Sequence, residues 1–251
     1  MIWWHAVLIV VAGFWAGTIN TVVGSGTLVT FPTLLALGYP PVTATTSNAI
    51  GLAPGSVTGA IGYRHELRGQ GPRLLKYATA SALGAGCGTV LLLGLPRDAF
   101  ATVVPFLIVL ALVLVVIQPR VSRWVANRNP DSSEHGGWLL LLLIFLIGVY
   151  GGYFSAAQGV LLMGVLGILL AERLQRLNGI KNVLAATVNS LAGIVYAFVA
   201  PVDWAVIGLL ALGAVAGGVL GARIGRMLPP MVLRGVIITI GVAAVVGLLL
   251  K

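Results

Sequence analysis

The sequence predicts an all-α polytopic membrane protein built from two inverted repeats, each with about five membrane-embedded helical elements. Three observations support this prediction: the composition, the lengths of the apolar runs and a repeat of motifs in the two halves. Of the 251 residues, 59% are hydrophobic and 8% are charged, whereas soluble domains average about 45–50% and about 25%. The 15 basic and 6 acidic residues are too few to cover the surface of a soluble protein of this size.

The composition also excludes several classes of protein. A disordered chain and a coiled coil would need far more charged residues, and a disulfide-rich domain would need more than one cysteine. The net charge is +9, but the basic residues are scattered through short segments between apolar runs. In a membrane protein this pattern sets the orientation of the chain. We therefore expect the lipid bilayer, and no nucleic acid, as a partner.

Apolar runs of about 20 residues, the length that crosses a bilayer, identify the full spans. These predicted spans are 42–63, 71–94, 99–118, 178–200, 204–225 and 231–250. Two other apolar regions, 2–39 and 138–171, are longer and are interrupted by glycine and polar residues. When split there, each has a second arm of about 13 residues, which reaches only about 20 Å of the roughly 30 Å hydrocarbon core. The first hairpin of each repeat is therefore predicted to be broken or re-entrant.

The two halves of the chain repeat the same landmarks in the same order. Three glycines of the first half recur at one constant offset in the second: Gly13, Gly17 and Gly24 as Gly148, Gly152 and Gly159. Asn48 likewise has a counterpart in Asn182. This order predicts a tandem duplication, with a first repeat over 1–118, a polar cytoplasmic linker over 119–137 and a second repeat over 138–251.

The basic residues predict the topology. They form four clusters along the chain, within 64–76, 120–128, 173–181 and 223–226. If all four clusters are cytoplasmic, an even number of crossings must separate successive clusters, and a hairpin over 138–171 provides it. Each repeat then has an odd number of elements, which makes the two repeats inverted and places the N-terminus and the C-terminus outside.

Groups for catalysis or metal binding are absent from the apolar runs. All three histidines and all six acidic residues lie at segment ends or in loops. The sequence therefore offers no intramembrane acid–base pair, nucleophile triad or metal cluster. We predict that the protein is not an enzyme and that it has no cofactor and no metal site. Because buried carboxylates usually relay protons or sodium ions, we also expect no such relay.

Polar residues and glycines inside the apolar runs cluster at the two interruptions and in the helices that follow them. A broken helix leaves N–H groups that hydrocarbon cannot pair, and its N-terminus has a partial positive charge. Short paired segments at equivalent positions of inverted repeats are typical of the substrate site of a transporter. A small anionic substrate is therefore expected to bind among thirteen residues: Asn20, Gly24, Ser25, Gly26, Thr27, Thr46, Asn48, Ser155, Gln158, Gly159, Asn178, Lys181 and Asn182.

Some of these residues have a second interpretation. Hydroxyl side chains such as that of Thr46 are also typical of helix caps and of bonds back to the preceding turn. The long side chain of Lys181 can extend to the inner membrane surface or reach a bound anion. The recurring glycines, such as Gly17 and Gly152, are expected to be packing faces between helices.

The motifs at these positions resemble those of a known family. Residues 13–26 (GFWAGTINTVVGSG), followed by 30–32 (TFP) and 44–48 (ATTSN), are similar to the first-half motif of the TauE/SafE sulfite-exporter family. Residues 148–159, 177–178 and 181–182 are similar to its weaker second-half motif. The resemblance extends over essentially the whole chain. It implies export of a small anionic sulfur compound, such as sulfite or an organosulfonate, across the cytoplasmic membrane.

The resulting hypothesis is a multi-pass secondary transporter of the cell membrane that alternates access by rocking one repeat against the other. A passive anion channel and a non-transporting membrane assembly partner stay open as alternatives. A channel would show no saturating exchange, and an assembly partner would show no flux. The sequence leaves open which anion is transported, which ion is coupled, and whether the protein is a monomer or a homo-oligomer.

Overall fold

The computed structural model describes residues 2–126 and 136–224, which form nine α-helices and no strand. The helices are α1 (Trp3–Val22), α2 (Thr27–Ala36), α3 (Pro41–Gly62), α4 (Gly71–Gly94), α5 (Arg97–Ala126), α6 (Gly137–Tyr153), α7 (Gln158–Leu169), α8 (Leu174–Val199) and α9 (Trp204–Ile224). The all-α prediction is confirmed. The predicted span 231–250, the C-terminus and the linker residues 127–135 lie outside the described residues.

Both interrupted apolar regions fold as two helices that are separated by a short break. The first break is 23–26, between α1 and α2, and the second is 154–157, between α6 and α7. The second arms, α2 and α7, have 10 and 12 residues. At the helical rise they reach about 15 and about 18 Å, so neither crosses a hydrocarbon core by itself. The predicted interruption of both regions is confirmed.

Five of the described helices combine the length and the apolar composition that a membrane crossing requires: α1, α4, α5, α8 and α9. Helix α3 has 22 residues and is long enough to cross, but it is more polar. Its hydroxyl and amide side chains, such as Thr45, Thr46 and Asn48, are buried inside the protein. The polar face of α3 therefore contacts other helices.

Helix α5 extends beyond the predicted end of its span at 118. It continues to Ala126, so residues 119–126 of the predicted linker are helical. Arg123, an exposed residue of this extension, donates from Nε to the carbonyl oxygen of Pro119 at 3.4 Å. Helical backbone bonds do not require apolar side chains, which explains why the helix outlasts the apolar run.

The helices of the two halves pack across each other. Helix α1 packs on α9 and α6 packs on α4, while α3 contacts both α8 and α9. Glycines permit these close crossings, because a Cβ on Gly17 would overlap the carbonyl of Ala214 and one on Gly152 would overlap that of Ala85. Gly17 and Gly152 are counterparts in the predicted duplication, and both serve as packing faces. The inverted orientation of the two repeats stays a prediction.

Aromatic residues of the core hold the two breaks near each other. Phe31 of α2 packs edge-to-face on Phe154 of the second break, with ring centroids 5.2 Å apart. Phe100 of α5 packs on Tyr153 in a similar way, at 5.4 Å. Contacts of this kind add about 0.5–1.5 kcal/mol to the energy of burial alone. The first pair ties the second arm of the first hairpin to the second break, and the second pair ties α5 to the end of α6.

Candidate functional site

The two breaks meet in the interior, where residues 24–27 and 155–159 form what we call the break junction. The N–H of Gly159 donates to the carbonyl oxygen of Gly24 at 2.9 Å, and the hydroxyl oxygens of Thr27 and Ser155 lie 3.0 Å apart. Helix α2 begins at Thr27 and α7 at Gln158. The N-termini of both short helices therefore lie at the junction, where their partial positive charges favour an anion.

The backbone of the junction restricts which residues fit there. Gly24 has a φ of +90°, and a Cβ on either Gly24 or Gly159 would overlap the Cα of the other. Only glycine meets both demands. Ser155 and Ala157 adopt φ values of 59° and 56°, in the left-handed region that side-chain-bearing residues rarely enter. Such conformations are frequent at functional sites.

Asn48 of α3 connects to the junction through two threonine hydroxyls. Its Nδ2 donates to Thr27 Oγ1 at 3.2 Å, and its Oδ1 accepts a short hydrogen bond from Thr30 Oγ1. All three side chains are buried. A continuous set of hydrogen bonds therefore runs from α3 through α2 to Ser155 in the second half.

Two buried donors at the junction have no hydrogen-bond partner among the described residues. They are the hydroxyl of Ser25 and the Nε2 amide nitrogen of Gln158, whose side chains are only 1% and 3% exposed. A buried polar group without a partner costs about 1–3 kcal/mol, and native proteins retain few of them. An acceptor oxygen brought to either donor would satisfy it.

Lys181 and Asn182 of α8 hold the C-terminal end of α1. Lys181 Nζ lies 3.1 Å from the carbonyl oxygen of Thr21 and 3.4 Å from that of Val22, and Asn182 Nδ2 lies 3.2 Å from Thr21 O. These carbonyls end a helix and have no further helical N–H to accept from. The Lys181 side chain is fully buried, so its ammonium does not extend to a membrane surface.

Within residues 2–126 and 136–224, the ammonium of Lys181 forms no ion pair with a carboxylate. Helices α1, α2, α3, α7 and α8 contain no aspartate and no glutamate, and both ion pairs found among the described residues lie elsewhere. A buried charge without a counter-charge is costly. The carbonyl of Val22, to which Lys181 Nζ is hydrogen-bonded, directly precedes the first break.

Asn20 belongs to an amide and hydroxyl cluster beside the first break. The Nδ2 groups of Asn20 and Asn189 both donate to Ser56 Oγ at 2.9 Å, and Ser56 Oγ donates to the carbonyl of Leu52 at 3.0 Å. A Cβ on Gly26 would lie 3.1 Å from the Cβ of Asn20, which puts this cluster against the junction. It links α1, α3 and α8.

Thr46 and Asn178 make no hydrogen bond to a junction residue in the described part of the chain. Thr46 Oγ1 lies 2.6 Å from Pro201 O and 3.0 Å from Val42 O, either of which can accept its one hydrogen, so this hydroxyl joins α3 to the connection between α8 and α9. Asn178 lies near the start of α8, where its Oδ1 is buried without a partner among the described residues. A role of either residue in binding stays a prediction.

Sequence reasoning did not select four polar residues that the structure places around the breaks. Thr30, Ser56 and Asn189 take part in the bonds described above, and the hydroxyl of Tyr150 donates to Ala156 O in the second break at 2.6 Å. The spacing of Thr30, three residues after Thr27, places both hydroxyls on one helix face. That spacing is a signal that could have identified Thr30.

Similarity to known proteins decides the class of protein. The family described as Sulfite exporter TauE/SafE matches residues 9–248. The chain belongs to the TauE/SafE sulfite-exporter family. The matched region contains both breaks and nearly the whole chain, which confirms the resemblance in the sequence motifs. This TauE/SafE protein is a multi-pass membrane transporter and not an enzyme.

Relatives of the TauE/SafE chain are named as probable membrane transporter proteins. It is 26% identical over 241 residues to "Probable membrane transporter protein ORF9" of a Sinorhizobium species, covering 95% of this chain and 90% of the relative. It is 25% identical to a "Probable membrane transporter protein" of Haemophilus influenzae, covering 84% and 81%. It is 23% identical to "Probable membrane transporter protein YfcA" of Escherichia coli strain K12, covering 83% and 76%. No solved structure matches the chain significantly.

Proposed function

We propose that this TauE/SafE protein is a secondary transporter that exports a small anionic sulfur compound, sulfite or an organosulfonate, across the cell membrane. The observation that supports this proposal is the break junction. It combines two helix N-termini with the donors of Ser25 and Gln158, which have no partner in the described part of the chain. The family description, sulfite exporter, supports the class of substrate.

The chemistry of the junction suits a tetrahedral or pyramidal oxyanion. Its oxygens would accept from the Ser25 hydroxyl, the Gln158 amide and free backbone N–H groups, while Lys181 would compensate the charge. Hydrogen bonds to a charged partner contribute about 1.5–3 kcal/mol each. A few of them suffice for micromolar to millimolar affinity, which permits release as well as binding.

Alternating access would open the junction in turn to each side of the membrane. The polar contacts that join the two breaks are the Gly24–Gly159 backbone bond and the Thr27–Ser155 hydroxyl pair. Because these are few and uncharged, rocking of one repeat against the other would separate them at a modest cost. In this proposal the basic loops are cytoplasmic and both termini lie outside.

The test is sulfite exchange in proteoliposomes containing the purified full-length protein. We expect exchange that saturates with sulfite and is stimulated by sulfite on the opposite side. We expect Ser25→Ala to weaken sulfite affinity about tenfold or more. Ser81→Ala is a matched control, because Ser81 Oγ is also buried without a partner in the described part of the chain but lies at the crossing of α4 with α6.

The same assay separates the alternatives. Flux that neither saturates nor responds to sulfite on the opposite side would indicate a passive channel. Absence of both flux and binding for every sulfur anion offered would indicate an assembly partner. Equal affinities of the Ser25→Ala and Ser81→Ala variants would exclude the junction as the binding site.

A further inference from the structure

A polar cavity lies at the end of the molecule that has the basic loops, and it shares no lining residue with the break junction. Its volume is about 700 Å³. It lies between the start of α4, the start of α6 and the connection from α7 to α8, with walls that include Gln70, Gly137 and Ala171. It therefore lies at the ends of these helices and not at their middles.

The charged side chains that line this cavity are mainly cationic. Arg73, Lys76 and Arg176 face a single carboxylate, that of Glu172. The cavity also adjoins the N-terminal ends of α4 and α6, which add partial positive charge. The balance of charge therefore favours an anion.

Glu172 orients the two arginines and is fully engaged by them. Its Oε1 lies 2.7 Å from Arg73 Nη1, and its Oε2 lies 2.7 Å from Arg176 Nη1. Arg73 Nε also donates to the hydroxyl of Tyr77 at 3.1 Å. The side chains of Arg73 and Glu172 are each only 12% exposed. The guanidinium group of Arg73 is therefore held in place before any ligand arrives.

Donors remain after these internal bonds are made. Lys76 is exposed and makes no hydrogen bond or ion pair with any described residue. The Nη2 of Arg73 is buried and has no partner within the same part of the chain. A phosphate group, with several acceptor oxygens and a negative charge, matches a set of arginine and lysine donors.

We propose that this cavity binds a phosphate group, supplied by the headgroup of an anionic phospholipid. Basic pockets between helices at the cytoplasmic surface are known to recognise such headgroups. The neighbouring surface supports the lipid as the source, because an apolar groove of about 880 Å³ follows on the same helix directly after Tyr77. This groove runs along α4 from Ala78 to Leu91 beside α8, where an acyl chain would fit.

The test measures lipid binding to the delipidated full-length protein in detergent by native mass spectrometry. The probes are short-chain phosphatidylglycerol, short-chain phosphatidylcholine and inorganic phosphate as a competitor. We expect phosphatidylglycerol to bind in preference to phosphatidylcholine, and Lys76→Gln to weaken that binding about tenfold. Arg173→Gln is the matched control, because Arg173 is exposed, follows Glu172 directly and does not line the cavity.

The binding results distinguish a specific phosphate site from general attraction to a basic surface. Failure of inorganic phosphate to compete supports the lipid as the only source, whereas competition at millimolar concentration means that the site takes the phosphate group from either source. Equal weakening by Lys76→Gln and Arg173→Gln would overturn the proposal in favour of general attraction to a basic surface. Absence of both lipid preference and phosphate binding would also overturn it. Size-exclusion chromatography of each variant tests whether it folds. Because Lys76 is exposed, we expect the profile of Lys76→Gln to match that of the unmodified protein.

Discussion

The N–H of Gly159 donates to the carbonyl oxygen of Gly24 at 2.9 Å, so one backbone hydrogen bond joins the two breaks of the chain. Each of these glycines occupies the space that a Cβ of the other would need. Their close approach brings the start of α2 to the start of α7, so that the N-termini of two short helices, of 10 and 12 residues, lie next to each other. The geometry of the junction thus depends on two residues that lack side chains.

Gly24→Ala is expected to abolish sulfite exchange. Alanine at a positive φ costs about 1–2 kcal/mol, and the added Cβ would in addition overlap Gly159. Gly38→Ala is a matched control, because Gly38 has a φ of +89° but no atom within 4 Å of the position of a Cβ. Exchange is measured in proteoliposomes and stability as the Tm in detergent. Equal exchange by the two variants would contradict the close approach of the breaks.

Gln158→Ala and Asn20→Ala are expected to lower the affinity for the anion about tenfold to a hundredfold without reducing the amount of folded protein. The Nε2 of Gln158 has no partner among the described residues, and Ser56 keeps Asn189 as a donor when Asn20 is lost. Isothermal titration with sulfite measures the affinity. Gln175→Ala is the control, since Gln175 has a buried amide oxygen without a partner within the described ranges but lies outside the junction. Unchanged affinity in both variants would exclude these residues from the site.

Single cysteines in a Cys87→Ala background are expected to report the predicted topology. Arg68 and Arg173 precede α4 and α8, and Asp98 and Pro201 lie at the opposite ends of spans; all four residues are exposed. Cysteines at 68 and 173 should react with an impermeant maleimide only from the cytoplasmic side, and those at 98 and 201 only from outside. Labelling of positions 68 and 98 from the same side would refute the arrangement.

Amide replacements of the acidic residues are expected to leave potential-driven efflux intact. Acidic residues of the described chain lie at helix ends or in connections: Glu66, Asp98, Glu172 and Asp203. An inside-negative potential supplies about 2.3 kcal/mol per charge per 100 mV, which needs no carboxylate relay. Asp203 has a structural role, because its Oδ1 accepts from the N–H groups of Ala205 and Val206, and asparagine retains that cap.

The measurement is sulfite efflux from proteoliposomes under an imposed potential, with and without a pH gradient. The efflux of a substrate that carries its own proton would also be unchanged by these replacements. If one amide variant loses gradient-driven efflux but retains exchange, a carboxylate relay exists and the expectation is wrong. Because Asp203 lies at the end of a span next to Trp204, Asp203→Asn is the first variant to measure.

The sequence predicted part of the polar network that surrounds the two breaks, and the residues it did not predict have a physical reason. Asn48, Ser155 and Gln158 were identified because a polar residue in an apolar run must find a partner that hydrocarbon does not offer. Ser56 was not selected, since a hydroxyl in a helix ordinarily bonds back to the preceding turn. Ser56 makes that local bond to Leu52 and also accepts from two amides, which no local pattern reveals.

The surroundings of the Lys181 side chain also could not be predicted from neighbouring residues. Its type and position allowed either an extension to the membrane surface or a role in the site, because both depend on what surrounds the ammonium group. The structure buries it fully against the end of α1. That environment is created by a helix 160 residues away in the chain.

The sequence by itself determined the membrane class, the helices of both halves in the described ranges and the positions of the two breaks. It could do so because the thickness of hydrocarbon and the pairing of backbone groups act on consecutive residues. Only the tertiary structure decided that Gly24 lies on Gly159, that Thr27 contacts Ser155 and that two arginines share Glu172. These contacts join distant parts of the chain, and the crossings that create them depend on side-chain volumes at many helix contacts at once.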